Sequence, residues 1–433
     1  MRIPFLRSAL PALLIALPSL ALPLAAQDTT SRGVRIGLTY DPGAKPGIAV
    51  LPVSGVPGDS IRAIVQRDFD YGDRINAIVL DDAVASEASR ASGPNWPLLA
   101  RLGAAAAVQV TPIPSGFHVA VYNVATKQTA LVRDFPSDAP AQSPAWRAAL
   151  HGIADQLEEA FTGVRGIART RVVFERGRRI WVVDSDGENA TPLTEVGTPM
   201  SPAWSPNGRA IAYSTIVPAG ISVLDLSTGR SRTLVSGAGV YISPVFSPDG
   251  GSVVFAHGVD AGVDIFTAPI SGGSARRVSV GRGSDNVSPS FSPDGRRIAF
   301  VSGRVGHPEI YTMDADGTNV DQLTPLELGK NAYRASPDWS PDGRAVAFQS
   351  QLGGTFQVFT INLRDRGLRQ LTSDGRNEDP SWAPDGRHLT FVSTRTGSRQ
   401  LWVLDVETGR TRQLTHGGGS ARLPAWSPRL STD

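Results

Sequence analysis

The sequence predicts an α/β domain followed by a six-bladed β-propeller that is closed by a C-terminal strand. Three observations predict it. A Ser-Pro-x-aromatic-Ser-Pro-Asp-Gly motif keeps returning, three unpaired strand-like segments precede its first copy, and the N-terminal third has a different texture. The motif reads "SPAWSPNG" at 201–208, "SPVFSPDG" at 243–250, "SPSFSPDG" at 288–295, "SPDWSPDG" at 336–343, "DPSWAPDG" at 379–386 and, in degenerate form, "LPAWSPRL" at 423–430. Successive copies start 42, 45, 48, 43 and 44 residues apart. That period, with four short strands per unit, belongs to a propeller.

The chain begins "MRIPFLRSALPALLIALPSLALPLAAQ". Arg2 and Arg7 precede an apolar run, and Ala25 and Ala26 offer a cleavage site, so residues 1–26 read as a secretory signal peptide. Residues 27–46 form a separate segment in which Val34, Ile36 and Leu38 alternate, a pattern suited to a sheet edge of this chain or of a partner. Residues 47–165 read as the α/β domain. It has strands at 47–53 and 75–81, helices at 58–70 (capped near Asp59), 96–104 and 146–161, and a hairpin of "FHVAVYNV" and "TALVRDF". Residues 162–170, "TGVRGIART", are the expected linker into a propeller spanning 166–433.

Within the propeller, "PDWS", "RAVAFQS", "FQVFTINL" and "LRQLT" are the expected four strands of one blade. The last copy has one strand, and residues 171–195 supply three without a motif, so joining them makes a sixth blade and leaves no free edge. Trp204, Phe246, Phe291, Trp339, Trp382 and Trp426 occupy one repeat position and are expected between blades. The repeated Pro, Asp and Gly are turn residues, and so are Asp184, Asp186, Asp314 and Asp316.

Composition removes several chemistries. The chain has no cysteine, which excludes disulfides, thiolate metal sites and cysteine nucleophiles. Without the leader, basic and acidic residues balance, and no basic stripe suits a nucleic acid. The sequence has no G-x-S-x-G elbow, phosphate loop or H-E-x-x-H motif, and its six histidines are scattered without ligand spacing. No metal or cofactor is expected. A binding surface is what remains. The loops entering the inner strands carry residues that do not repeat: Tyr241, Asp285, Asn286, Tyr333, Arg334, Asn377, Glu378 and Arg422. Ringing one channel mouth, they suit a protein or peptide ligand. Two other readings are a propeller from a secreted peptidase and a polysaccharide-binding propeller.

The leader, the "GVRI" opening, the "GIAVLPV" strand, the "TGVRGIARTRVVF" junction, the "MSPAWSPNGRAIAY" repeats and the closing "LPAWSP" together resemble the TolB family of the Tol–Pal envelope system. The resemblance implies a non-enzymatic, monomeric scaffold of the periplasm, peripheral to the membranes. Its partners would be the lipoprotein Pal at the propeller mouth and TolA at the N-terminal segment, here Val34, Arg35, Ile36, Gly37 and Leu38. The role implied is outer-membrane integrity and cell division. One position departs from the family: where some members place a histidine before the second repeat, this chain reads "GVYISP".

Overall fold

Helices on both sides explain the first strand. All four positions of Gly47–Val50 are buried, because Ile48 and Val50 face one helical layer while Ala49 and the following Leu51 face the other. The computed structural model describes Ile36 and residues 44–53, 60–90, 93–259, 262–279, 284–325 and 333–431. Five strands run in the order Asn76–Ile78, Gly47–Val50, Ala106–Ile113, Gly116–Asn123 and Gln128–Pro136. The first three are parallel and the remaining pairings antiparallel.

Four helices cover this sheet: α1 (Ser60–Tyr71), α2 (Asp82–Ala88), α3 (Trp96–Arg101) and α4 (Pro144–Thr162). Helices α1 and α4 bury Ile61, Val65, Phe69, Leu150, Leu157 and Phe161 against one face, and α2 and α3 bury Ala85, Leu98 and Leu99 against the other. The expected helix at 96–104 stops at Arg101, since Leu102 closes the last turn and Gly103, at φ 77°, leads out of it. The strand expected at 75–81 is only Asn76–Ile78. It gives way to the unforeseen α2, which Asp81 caps by accepting the Val84 N–H at 2.8 Å. The cap expected at Asp59 lies outside the described residues.

Six four-stranded sheets make the propeller. Blade four, for example, comprises Tyr333–Trp339, Ala345–Leu352, Thr355–Asn362 and Leu368–Gln370. Blade six joins the two ends: Ala421–Trp426 pairs antiparallel with Arg171–Arg176, which continues through Arg179–Asp184 to Thr191–Pro192. Beyond the ladder, the Ser427 amide donates to the Arg171 carbonyl at 2.8 Å.

The inner strands begin earlier than expected. They run Pro199–Trp204, Val240–Phe246, Asn286–Phe291, Tyr333–Trp339, Asn377–Trp382 and Ala421–Trp426. Tyr241, Asn286, Tyr333, Arg334, Asn377, Glu378 and Arg422 therefore lie in strands, not in the loops entering them, and Asp285 directly precedes one. A six-fold β-bulge conceals this in the sequence. Ser201, Ser243, Ser288, Ser336, Asp379 and Leu423 all hold φ between 49° and 52°, and the ladder register shifts across each of them and its following proline. Proline has no N–H to give a ladder, so the bulge is where a strand tolerates it.

The aromatic position packs between blades as expected. Trp339 meets Ala299, Val301 and Ile310 of blade three, and Trp426 meets Val392, Leu401 and Val403 of blade five. Several backbones are stitched across the same seams: Asp338 accepts the Trp382 amide at 2.7 Å, and Ser381 accepts that of Trp426 at 3.1 Å.

The segment expected as a linker is a buried tie. The Asp155 carboxylate on α4 accepts the amides of Ala168 (2.6 Å) and Arg169 (3.0 Å), while Ala168 packs in the α/β core and Ile167 in the propeller core. Trp426 Nε1 donates to Thr170 Oγ1 at 2.8 Å in the same place. Replacing Trp426 by Ala removes both the seam and this anchor. We expect a loss of about 3–5 kcal/mol in chemical denaturation, with tryptophan fluorescence and circular dichroism as probes.

Candidate functional site

Each blade runs antiparallel, so the propeller has two distinct ends. One end holds the starts of the inner strands and the hairpins between second and third strands. The other holds the Pro-Asp-Gly turns and the turns between third and fourth strands. The six bulges line a central cleft of about 350 Å³ between the ends, walled by the motif's Ser, Pro and aromatic residues. Two acids in that wall do not repeat, Asp338 and Asp379. Burial pushes Asp338 up to about 6, against the hydrogen bonds of Trp382 and Ser290, and raises Asp379 against the hydroxyl of Ser336.

All eight mouth residues gather at the strand-start end, but in two different roles. Asn286 and Asn377 are fully buried. Asn286 donates to Asp264 Oδ1 (2.9 Å) and Asn377 to Gln357 Oε1 (2.7 Å), and each accepts a guanidinium N–H, from Arg304 and Arg395 respectively. These arginines lie over Tyr311 and Trp402, at 4.5 and 4.6 Å from the ring centroids. Arg334 is 2 % exposed and gives one N–H to Glu309 at 2.7 Å and to the Pro325 carbonyl at 2.8 Å. Tyr241 is buried too, stacked on His257 at 4.1 Å. His257 is its cross-strand neighbour, so the imidazole beside this position comes from the next strand.

The remaining four reach or edge the surface. Asp285 is exposed and accepts the Val263 amide at 3.1 Å. Tyr333 is 46 % exposed, edge-on to Phe356. Glu378 is half-buried between Arg376 and Arg399, and Arg422 grips Glu175 through Nε and Nη2 at 2.9 and 2.8 Å. Sequence reasoning missed the apolar part of this end: Val196, Ile216, Val217 and Val240 are exposed, and Thr198 Oγ1 accepts the amides of Ile216 and Val217. The signal was there in "STIVPAG", an apolar run at a hairpin tip.

The α/β domain attaches at the opposite end, on blades five and six. Arg74 on its side reaches Asp385 at 2.9 Å, and Asp73 receives His388 Nε2 (3.3 Å) and Arg410 Nη1 (3.0 Å). Arg410 also holds Asp70, and Arg412 lies over the Tyr71 ring at 4.1 Å. On blade six, Asp186 is gripped by Arg67 and by Arg147, the latter at 2.6 Å, and His151 Nδ1 lies 2.7 Å from Asp68. Asp186 is therefore a docking residue as well as a turn residue, whereas Asp316 only binds Thr318 within its own turn.

These contacts bring scattered histidines into two clusters, Asp68–His151–Asp186 and Asp73–His388–Asp405. Guanidiniums already neutralise their carboxylates, so the chemistry is that of ion pairs and fits a metal poorly. Burial opposes charge on His388, but hydrogen bonds to Asp385 and Asp73 hold its pKa above the usual value. Asp385 is likewise buried, yet His388 and Arg74 hold it well below the carboxylate range. Burial pushes Glu158 up to about 8, with Arg74 opposing. On α4, His151, Asp155 and Glu158 form an i, i+4, i+7 polar stripe beside the filled apolar stripe, the one sequence signal that could have found this junction.

The family model described as the TolB beta propeller domain matches residues 158–430. The chain belongs to the TolB β-propeller family. Among curated relatives, the "Tol-Pal system protein TolB" of Albidiferax ferrireducens is 32 % identical over 46 % of this chain and 47 % of its own length. The protein of the same name from Polaromonas naphthalenivorans is 31 % identical over 46 % of each. The matched region thus spans about half the length of these relatives. In fold, the crystal structure of TolB from Acinetobacter baumannii is similar, with a TM-score of 0.76 over 91 % of this chain and 99 % of that one at 24 % identity. No helix among the described residues is long and apolar enough to cross a membrane.

The junction sets a pH dependence for this TolB-family chain. Glu158 takes up a proton on folding between its ordinary 4.5 and its raised value near 8, so stability falls as pH climbs through that window. His388, with its raised pKa, contributes below about 6.5 and loses that contribution at higher pH. Melting temperature is expected to decline between pH 6 and 8. Glu158→Gln is expected to flatten that decline, as scanning calorimetry across a pH series would read.

Proposed function

We propose that this chain is a periplasmic protein-interaction scaffold of the Tol–Pal system, non-enzymatic and without a cofactor. In this reading the propeller mouth binds the peptidoglycan-associated lipoprotein Pal, and the N-terminal segment, residues 32–46, serves TolA. The supporting observation is the position of the α/β domain. Its ion pairs fall on the turn end of blades five and six, which leaves the strand-start end, with Tyr333, Asp285, Glu378 and Arg422, for a partner.

Of the five residues named for TolA contact, Ile36 is the one described, and Val34, Arg35, Gly37 and Leu38 lie outside the described residues. Ile36 is buried in the α/β core, and its amide donates to the Ala160 carbonyl at 3.2 Å. The acceptor is one of the last-turn carbonyls of α4, which the helix itself cannot satisfy. This residue therefore joins a helix end and not a sheet edge. Burying an isoleucine is worth about 1.5–3 kcal/mol. A partner that withdraws the segment must supply that difference, and the free energy it supplies is the most it can transmit. Helix α4 carries Ala160 on one side and the stripe that docks the propeller on another, so the N-terminal seat and the propeller junction share one rigid element.

Two measurements test this reading. Tyr333→Ala is expected to weaken Pal binding by about 1–2 kcal/mol in titration calorimetry without changing the melting temperature, while Arg422→Ala, which strands the buried Glu175 carboxylate, and Asn377→Ala each lower the melting temperature itself. Deleting residues 32–38 is expected to change affinity for both Pal and TolA, and unchanged affinities would refute the linkage.

A further inference from the structure

Blade one differs from the other five at its outer edge. Its fourth strand, Arg230–Ser236, has seven residues and pairs with the third strand from Arg230–Asp225 to Ser236–Gly220. The outer strands of the other blades, Thr191–Pro192, Arg276–Arg277, Asp321–Gln322, Leu368–Gln370 and Thr411–Gln413, have two or three. A longer third strand does not account for this. Gly262–Pro269 and Thr355–Asn362 have eight residues each, yet carry outer strands of two and three. A short outer strand is one way of closing a sheet edge to other chains. Blade one keeps a long edge, and no described strand pairs with its far side.

The turn before this strand sets which backbone groups face outward. Gly229 N–H donates to the Asp225 carbonyl at 2.9 Å, and Arg230 N–H to Thr228 Oγ1 at 3.3 Å. Blade five has the same turn, with Gly409 on the Asp405 carbonyl at 2.8 Å and Arg410 on Thr408 Oγ1 at 3.2 Å. There the Asp405 amide donates to the Arg410 carbonyl at 2.9 Å. Arg230 is by the same geometry turned towards the third strand, and so is Arg232 two residues on. The N–H and C=O groups of Ser231 and Thr233 therefore point away from the sheet. All four residues are exposed.

The side chains beside this edge define what fits it. At its turn end a cleft of about 750 Å³ between blades one and two is lined by Arg209, Arg230 and Arg232, with Val223 and Ile270. Arg232 donates to the Ile270 carbonyl, while Arg209 and Arg230 make no hydrogen bond or ion pair among the described residues. The two carboxylates of the lining, Asp225 and Asp249, are occupied by amides and hydroxyls of their own turns. The mouth end is apolar. Gly220 pairs with both Thr215 and Ser236, and just beyond that row Ile216 and Val217 are 57 % and 76 % exposed. The edge thus runs from basic to apolar along its length.

We infer that the outer edge of blade one docks an extended segment of another protein, added antiparallel as a fifth strand, apolar at its N-terminal end and alternately acidic at its C-terminal end. An antiparallel partner runs from the mouth to the turn end. Its apolar residues then meet Ile216 and Val217, its carboxylates meet Arg230 and Arg232, and Ser231 and Thr233 give it backbone hydrogen bonds. A second copy of this chain fits badly, because the arginines of both edges would share one seam. The seat lies on the flank of the propeller and not across its channel, so it stands whether or not Pal binds the mouth.

The test uses the full chain and a synthetic peptide, acetyl-Val-Thr-Val-Thr-Glu-Thr-Glu-Thr-amide, with titration calorimetry and amide hydrogen exchange as readouts. Binding is expected to slow exchange of the Ser231 and Thr233 amides. The same peptide with lysine in place of glutamate should bind about tenfold more weakly or worse. Thr233→Pro removes an outward N–H without taking a bond from the ladder, and should weaken binding by a similar factor. Arg230→Glu, at an exposed side chain, should do the same and serves if the proline variant folds poorly. Unchanged exchange at Ser231 and Thr233, equal affinity for the lysine peptide, or an Arg230→Glu chain that binds as tightly as the wild type would each overturn the proposal. So would a chain that protects these amides by dimerising in the absence of peptide.

Discussion

The pairing of Ala421–Trp426 with Arg171–Arg176 is the constraint on which the rest depends. It closes the ring, and it does so in the blade to which the α/β domain is tied. Arg171 directly follows the buried stretch whose amides bind Asp155, and Trp426 hydrogen-bonds Thr170 within that stretch. Ring closure and domain docking therefore share residues. Opening the closure strand would free the propeller edge and loosen the anchorage of α4 together.

Helix α4 carries that coupling further. Its apolar stripe fills the α/β core, its polar stripe meets the propeller, and its last turn receives the Ile36 amide. The polar stripe is costly to bury. Glu158 is pushed up to about 8 and Asp155 to about 6, both chiefly by desolvation. Such groups add little to net stability compared with well-packed apolar residues, but an unmatched partner would leave a charge buried. What they contribute is orientation: the domain fits blades five and six, where Asp385, His388, Arg387, Arg410 and Asp186 provide matching groups, in one way.

The propeller was legible because each motif residue does one job several times over. Blade number, closure and interblade aromatics follow from that period. The inner-strand starts were not legible, since the bulge interrupts the alternating pattern at the Ser-Pro pair, and residues upstream of it looked like loop. Hence Asn286, Arg334 and Asn377, singled out as partner contacts, prove to be buried supports. The junction was hidden for a different reason. Its pairs lie far apart in the chain, 119 residues from Arg67 to Asp186, 315 from Asp73 to His388 and 340 from Asp70 to Arg410, so no spacing rule applies. Charges in turns look alike in sequence whether they meet solvent, as at Asp316, or another domain, as at Asp186.

The central claim is that the mouth and the N-terminal seat are linked through α4. Hydrogen exchange of the Ile36 amide and of the last turn of α4, measured with and without the mouth partner bound, tests it most directly. The account predicts that exchange at Ile36 changes when the partner binds, although that amide sits on the domain docked at the far end of the propeller. Identical exchange rates in the free and bound chain would contradict it.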